Sequence, residues 1–127
     1  KGSEKIFNLP GESFVYTLMS NEPIGQREDI LFVNAKNGHM ALDDITTDLA
    51  NKEFNEVLIE AGPNLNGAFL NQGLIDEIIV YLAPSILGNS SRGMFELPML
   101  NELSESFRFY MESIDQIGTD LRIVLRK

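Results

Sequence analysis

The residue types best suited to chemistry lie in one stretch, Val57-Leu58-Ile59-Glu60-Ala61-Gly62-Pro63-Asn64-Leu65-Asn66-Gly67-Ala68-Phe69. An apolar run, a small-residue turn and an apolar-periodic segment follow one another. They predict a short strand over 55–60, then a helix over about 64–72 that Gly73 ends. A helix start leaves free N–H groups and about half a positive charge. Gly62 and Gly67 would let a bulky anion approach the backbone, and Pro63 falls where a missing N–H costs little. In open α/β sheets, ligands bind beyond the carboxyl ends of strands. The stretch therefore suits a phosphate or pyrophosphate, with a ligand-free tight turn as the alternative. Glu60 ends the apolar run. Its carboxylate could accept hydrogen bonds from a sugar hydroxyl or a base N–H, or it could simply cap or face solvent. Arg92, in the turn-rich segment Gly88 to Gly93, could reach a phosphate; an exposed turn arginine is the plainer reading.

Other chemistries are excluded by composition. Gly62 and Gly67 have the outer spacing of a P-loop, but Ala68 and Phe69 stand where Lys and Ser/Thr belong. No G-x-G-x-x-G occurs. There is no Cys, so no thiol nucleophile, disulfide or thiolate metal site, and no deaminase zinc signature. The single His, His39, rules out a His-based zinc cluster within one chain and reads as a surface residue. No Ser-His-Asp set is defensible, so catalytic residues stay unassigned and no metal site is expected. Ten Lys and Arg against nineteen Asp and Glu leave a net charge of −9 over 127 residues. Such a surface argues against nucleic acid or an anionic membrane as partner. No apolar run reaches the roughly 20 residues of a membrane helix, and no signal peptide is visible, so the cytoplasm is the expected compartment. Opening on Lys1 in a polar stretch, the chain reads as a piece of a longer polypeptide.

The elements that would hold the site follow from periodicity. Residues 12–19 and 29–35 predict strands, with a turn at Asn37-Gly38. Asp43 or Asp44 is expected to cap a helix running to about Asn51, with Ile45, Leu49 and Phe54 as its apolar stripe. Leu65, Phe69 and Leu70 are expected to form the buried face of the next helix. Residues 76–83 are almost wholly apolar, as in a strand covered on both faces, with Tyr81 in the core and Asp76-Glu77 as its solvated entrance. Residues 85–104 read as a loop. Phe107, Phe109 and Met111 alternate with polar positions, as do Leu121, Ile123 and Leu125, predicting an antiparallel hairpin turned near Gly118. Strands alternating with helices predict an α/β fold with a largely parallel sheet, the hairpin making it mixed. No linker divides residues 1–127, which read as a single domain.

Glu60-Ala61-Gly62-Pro63-Asn64-Leu65-Asn66-Gly67-Ala68-Phe69, then Gly73-Leu74-Ile75-Asp76-Glu77, then Tyr81-Leu82-Ala83-Pro84-Ser85-Ile86-Leu87-Gly88 resembles the reductase domain of the bifunctional riboflavin-biosynthesis deaminase-reductases. Ser91-Arg92-Gly93 and Gly118-Thr119-Asp120-Leu121 fit as well. The resemblance is specific from about residue 55 to the C-terminus and weak before it. It implies a dihydrofolate-reductase-like, mixed and mostly parallel sheet flanked by helices, with the N-terminal part of the domain missing. It implies NADPH-dependent reduction of 5-amino-6-(5-phosphoribosylamino)uracil to the ribitylamino form. It would place Glu60 on the substrate and wrap Gly62, Pro63, Asn64, Leu65, Asn66, Gly67 and Ala68 round the NADPH phosphates. Zinc would belong only to the deaminase half, which this chain lacks. The partner would be the phosphoribosyl pyrimidine, and the assembly a homodimer. The shortage of catalytic groups leaves two alternatives, a non-catalytic nucleotide-binding module and an assembly module.

Overall fold

A computed structural model describes residues 10–18, 30–36 and 38–127. The protein is a mixed α/β structure whose chain divides into two compact units, 1–57 and 58–127.

In the first unit, strand β1 (Val15–Leu18) pairs in parallel with β2 (Ile30–Val33). The expected strands are shorter than their apolar patterns, and Met19, Asp29 and Asn37 lie outside the described residues. A two-residue pair follows, β3 (Ala35–Lys36) against β4 (His39–Met40), turned through Gly38 at φ 79°. Exposed His39 sits there as expected.

Helix α1 spans Leu42–Asn51, with Leu42 and Ile45 buried on one stripe. The expected aspartate cap is corrected, because Ala41 is the N-cap and no side chain caps it. Asp43 and Asp44 are the second and third residues of the helix, where their charge favours the helix dipole. Lys36 (3.0 Å) and Asn34 (2.9 Å) hold them there, and the Lys36 contact lowers the Asp43 pKa. Phe54 falls beyond the helix and is exposed, not the end of the stripe.

The end of α1 is a Schellman motif: Phe54 N–H donates to Leu49 O (3.1 Å) and Glu53 N–H to Ala50 O (2.9 Å). Glu53 takes the left-handed position at φ 64°. A side chain there costs roughly 1–2 kcal/mol that glycine avoids. Glu53→Gly is therefore expected to stabilise the first unit by about 1 kcal/mol, read as a higher urea midpoint with unchanged slope; no gain would show that the Glu53 side chain is not strained.

The Tyr16 hydroxyl ties β1 to α1 by donating to Asp48 at 2.7 Å. Lys52 donates to both Asp48 oxygens at 2.7 and 2.8 Å, its ammonium 5.6 Å from the Phe14 ring centroid. The Lys52 and Tyr16 hydrogen bonds lower the Asp48 pKa. Burial, reinforced by Asp48, pushes the Tyr16 phenol up to about 12. An acid whose pKa rises on folding loses stability where the unfolded chain ionises first. The tie is thus fully present below pH about 10 and lost as pH climbs towards about 12. Urea unfolding followed through that window should show a loss that Tyr16→Phe lacks; equal losses in both proteins would refute the coupling.

In the second unit, helix α2 spans Pro63–Asn71. Strands β5 (Glu77–Leu82), β6 (Tyr110–Ile117) and β7 (Asp120–Arg126) form a sheet in the order β5-β7-β6, antiparallel throughout. Parallel pairing is thus confined to β1 and β2 among the described residues. The hairpin is as expected. Gly118 at φ 63° with Thr119 at negative φ gives a two-residue, type II′-like turn matched to strand twist. Its first strand starts later, however: Phe107 and Phe109 precede β6 and line a shallow cleft with Leu70, Ile75 and Lys127. A bulge at Glu112 shifts the register between Met111 and Ser113. Arg126 on the middle strand bonds Glu77 on one side (2.8 Å) and Glu112 on the other (2.6 Å), spanning all three strands.

Three expectations fail in this unit. Residues 54–62 form no strand; Val57 and Leu58 are exposed and the division between the units falls between them. A strand exists only through a hydrogen-bonded neighbour, and this apolar run finds none among the described residues. Strand β5 is not covered on both faces: Glu77, Ile79, Tyr81 and Leu82 are exposed, Tyr81 by 64% rather than in the core, and among the described residues the strand pairs only with β7. Leu65 is also exposed, so Gly67, Phe69 and Leu70 are the buried residues of α2.

Candidate functional site

Gly62 is the N-cap of α2, in extended geometry (φ −79°, ψ 173°), and Pro63 follows at the first helical position. Proline's fixed φ suits that position, and it has no amide to lose. The first hydrogen bond of the helix is Asn66 N–H to Gly62 O at 3.1 Å. This leaves the Asn64 and Leu65 amides as the free donors of the first turn. No side chain caps the helix, and its first turn holds no acidic residue to neutralise the dipole. A Cβ placed on Gly62 would meet nothing within 4 Å. Neither its φ nor its packing requires a glycine, and the space beside its backbone is open. Gly62, Asn64 and Leu65 are exposed and Pro63 half-buried. Exposed Glu60 stands two residues before the cap.

The rest of the turn faces inward. Asn66 Nδ2 donates to Ala61 O (3.2 Å) and Met94 O (3.3 Å), and Glu96 N–H donates to Pro63 O (2.9 Å). Gly67 is buried, and a Cβ there would collide with the Glu96 carbonyl. The missing side chain of Gly67 thus admits the chain's own loop. Ala68 is half-buried, its carbonyl accepting the Gln72 N–H at 3.1 Å. At the far end, Gly73 at φ 71° closes a second Schellman motif, with Gly73 N–H to Leu70 O and Leu74 N–H to Phe69 O, both 3.0 Å.

The predicted residues thus separate into two groups. Gly62, Pro63, Asn64 and Leu65 present an uncapped, open helix start. Asn66 and Gly67 meet the loop after β5, while Ala68 sits half-buried within the helix. The sequence reading missed Met94 and Glu96, which form the other side of this clasp. The signal was there in Gly67, a glycine inside a helix where alanine is favoured by about 1 kcal/mol. Arg92 is exposed. Among the described residues no cluster of His, Cys, Asp or Glu could hold a metal ion, and no helix is long and apolar enough to cross a membrane.

The chain is 37% identical over 126 residues to the riboflavin biosynthesis protein RibD of Buchnera aphidicola (subsp. Baizongia pistaciae), covering 98% of this chain and 34% of that protein. It is 35% identical over 118 residues to Escherichia coli RibD, covering 92% and 32%. It is 32% identical over 124 residues to the 5-amino-6-(5-phosphoribosylamino)uracil reductase of Buchnera aphidicola (subsp. Acyrthosiphon pisum), covering 97% and 60%. The chain thus spans about a third of the length of the two RibD proteins. Among solved structures it is similar to Acinetobacter baumannii RibD, with a TM-score of 0.69 at 27% identity over 91% of this chain and 37% of that one. It is also similar to a riboflavin biosynthesis protein of Shewanella sp. PV-4, with a TM-score of 0.59 at 26% identity over 94% and 63%. The mixed α/β architecture is consistent with the dihydrofolate-reductase-like class the motifs implied. The family model for the RibD C-terminal domain matches residues 8–123, across both units, and the chain belongs to that family.

Proposed function

We propose that this chain is the dinucleotide-holding part of an NADPH-dependent 5-amino-6-(5-phosphoribosylamino)uracil reductase of riboflavin biosynthesis. The observation that carries the reading is the start of α2: open, uncapped, without an acidic residue in its first turn, and opened by a glycine with no internal reason to be one. Free amides and a positive dipole end bind an anion even on a protein of net charge −9. The similarity to a named uracil reductase supplies the reaction class.

The residues present fit the cofactor. The Asn64 and Leu65 amides would donate to its phosphates, Gly62 would let them approach the backbone, and Pro63 would fix the entry of the helix. Asn66 and Gly67 would keep that turn in place, Ala68 would complete the run around the phosphates, and Glu60 would accept hydrogen bonds from the substrate. When bound, the dinucleotide would supply the hydride that, with a proton from solvent, reduces the ribosyl group to ribityl. The protein's own task is to hold donor and acceptor in line, the part of such catalysis that belongs to the fold. The parent polypeptide acts on a phosphoribosyl pyrimidine, in the cytoplasm, as a homodimer, with these 127 residues as part of one reductase domain.

The test is NADPH fluorescence titration of the full-length reductase polypeptide and of this chain, with turnover followed in both. The full-length protein should bind and reduce, and the chain alone should turn over weakly or not at all. No fluorescence response from the full-length protein would sink the reading. Binding without reduction would instead make it a nucleotide-binding module. Sedimentation of the full-length protein as a monomer would remove the dimer.

A further inference from the structure

Most cations among the described residues of this acidic chain are already engaged. Among the described residues, Lys36 pairs with Asp43, Lys52 with Asp48, Arg122 with Asp115, and Arg126 with Glu77 and Glu112. Lys127 donates to Gly73 O at 2.9 Å. Two described cations, Arg92 and Arg108, have no partner, and they lie towards opposite ends of α2. Arg108 lines the cleft with Leu70 and Gly73, at the helix's C-terminal end. Arg92 belongs to the loop clasped against its first turn.

The loop that carries Arg92 is bonded to the helix start and turned just before Arg92. Two residues on, Met94 O accepts the Asn66 side chain at 3.3 Å, and Glu96 N–H reaches Pro63 O at 2.9 Å. Two virtual bonds keep the Arg92 Cα within about 7.6 Å of the Met94 Cα. On the other side, Ser91 N–H and Oγ both donate to Gly88 O, at 3.3 and 2.8 Å, closing a turn immediately before Arg92. The chain therefore carries a long, exposed, unpaired cation on the loop that is bonded to the first turn of α2. A guanidinium offers the bidentate geometry that phosphate oxygens accept.

We propose that Arg92 is a cofactor-binding residue that grips the phosphates of the dinucleotide held at the start of α2. This rests on the cofactor reading above. Arg92 adds a full positive charge to the amides and dipole end that receive an anionic ligand on a chain of net charge −9.

The experiment titrates NADPH into the full-length reductase polypeptide as wild type, Arg92→Gln, Arg92→Lys and Arg108→Gln, at low and high salt. Arg92→Gln should weaken binding by about tenfold or more, the scale of one lost charge-assisted contact. Its salt dependence should be shallower, with KM for NADPH raised and kcat at saturation kept. Arg92→Lys should recover part of the loss. Arg108→Gln removes the same charge at the other end of α2 and should bind as wild type. Arg92→Gln binding like wild type overturns the inference, as does an equal loss in Arg108→Gln, which would show only a general effect of charge. Failure of the wild type to bind NADPH is a different result, removing the cofactor reading itself. Arg92 is exposed and unpaired, so its substitution should leave the melting temperature unchanged.

Discussion

Gly62→Asp should fold more stably than the wild type and bind the dinucleotide far worse. The backbone at this position is extended, and a Cβ there meets nothing within 4 Å, so the substitution brings no strain. An aspartate at the N-cap accepts from the free amides of the first turn and complements the dipole. Relative to glycine that stabilises by about 0.5–1 kcal/mol, or a few degrees in melting temperature. The same carboxylate occupies the Asn64 and Leu65 amides and repels an incoming phosphate. Affinity for NADPH should fall on the order of 100-fold, about 2.8 kcal/mol. The two effects have opposite signs, so unfolding cannot explain the loss. Calorimetry for stability and fluorescence titration for affinity, on one preparation, decide the matter. A stabilised variant with unchanged affinity would mean that the anion binds elsewhere.

Gly67→Ala carries the second large effect, and its sign is the reverse of the usual one. Alanine for glycine inside a helix ordinarily gains about 1 kcal/mol. Here the new methyl enters the space of the Glu96 carbonyl, a backbone atom that no rotamer change can remove. Overpacking of this kind costs about 1–3 kcal/mol, and displacing the loop also strains the Glu96–Pro63 and Asn66–Met94 bonds, each worth about 1 kcal/mol. The net expectation is a loss of about 2–3 kcal/mol, a fall in melting temperature on the order of 10 °C. Asn66→Ala removes the side-chain bonds without the collision and should cost less. A stabilised Gly67→Ala would show that the loop does not lie on α2.

Several elements were legible because their signals are local. The Pro63 start and Gly73 end of α2 follow from one residue's fixed φ and another's left-handed φ, and the hairpin at Gly118 from alternation around a glycine turn. The α1 cap was misread because Asp43 and Asp44 carry the preferred side chains, yet the helix begins earlier, at Leu42. The failed strand over 55–60 has a different cause. An apolar run states that a segment wants burial, not which neighbour will pair with it. Tyr81 and Leu65 were misplaced for the same reason, since apolarity does not specify which side is covered. The site was legible in part. The free amides at α2 follow from the small-residue turn, whereas Gly67 inside the helix signals a close approach without naming Glu96 as the residue that makes it.

That clasp makes the loop and the helix start one thermodynamic unit. A ligand that steadies the first turn must also steady the backbone bonded to it, and a change that frees the backbone must weaken the ligand by the same factor. Limited proteolysis within residues 85–93 should therefore slow as NADPH saturates the protein, because cleavage draws on the open state of the loop. The protease would report occupancy of a cofactor it never touches.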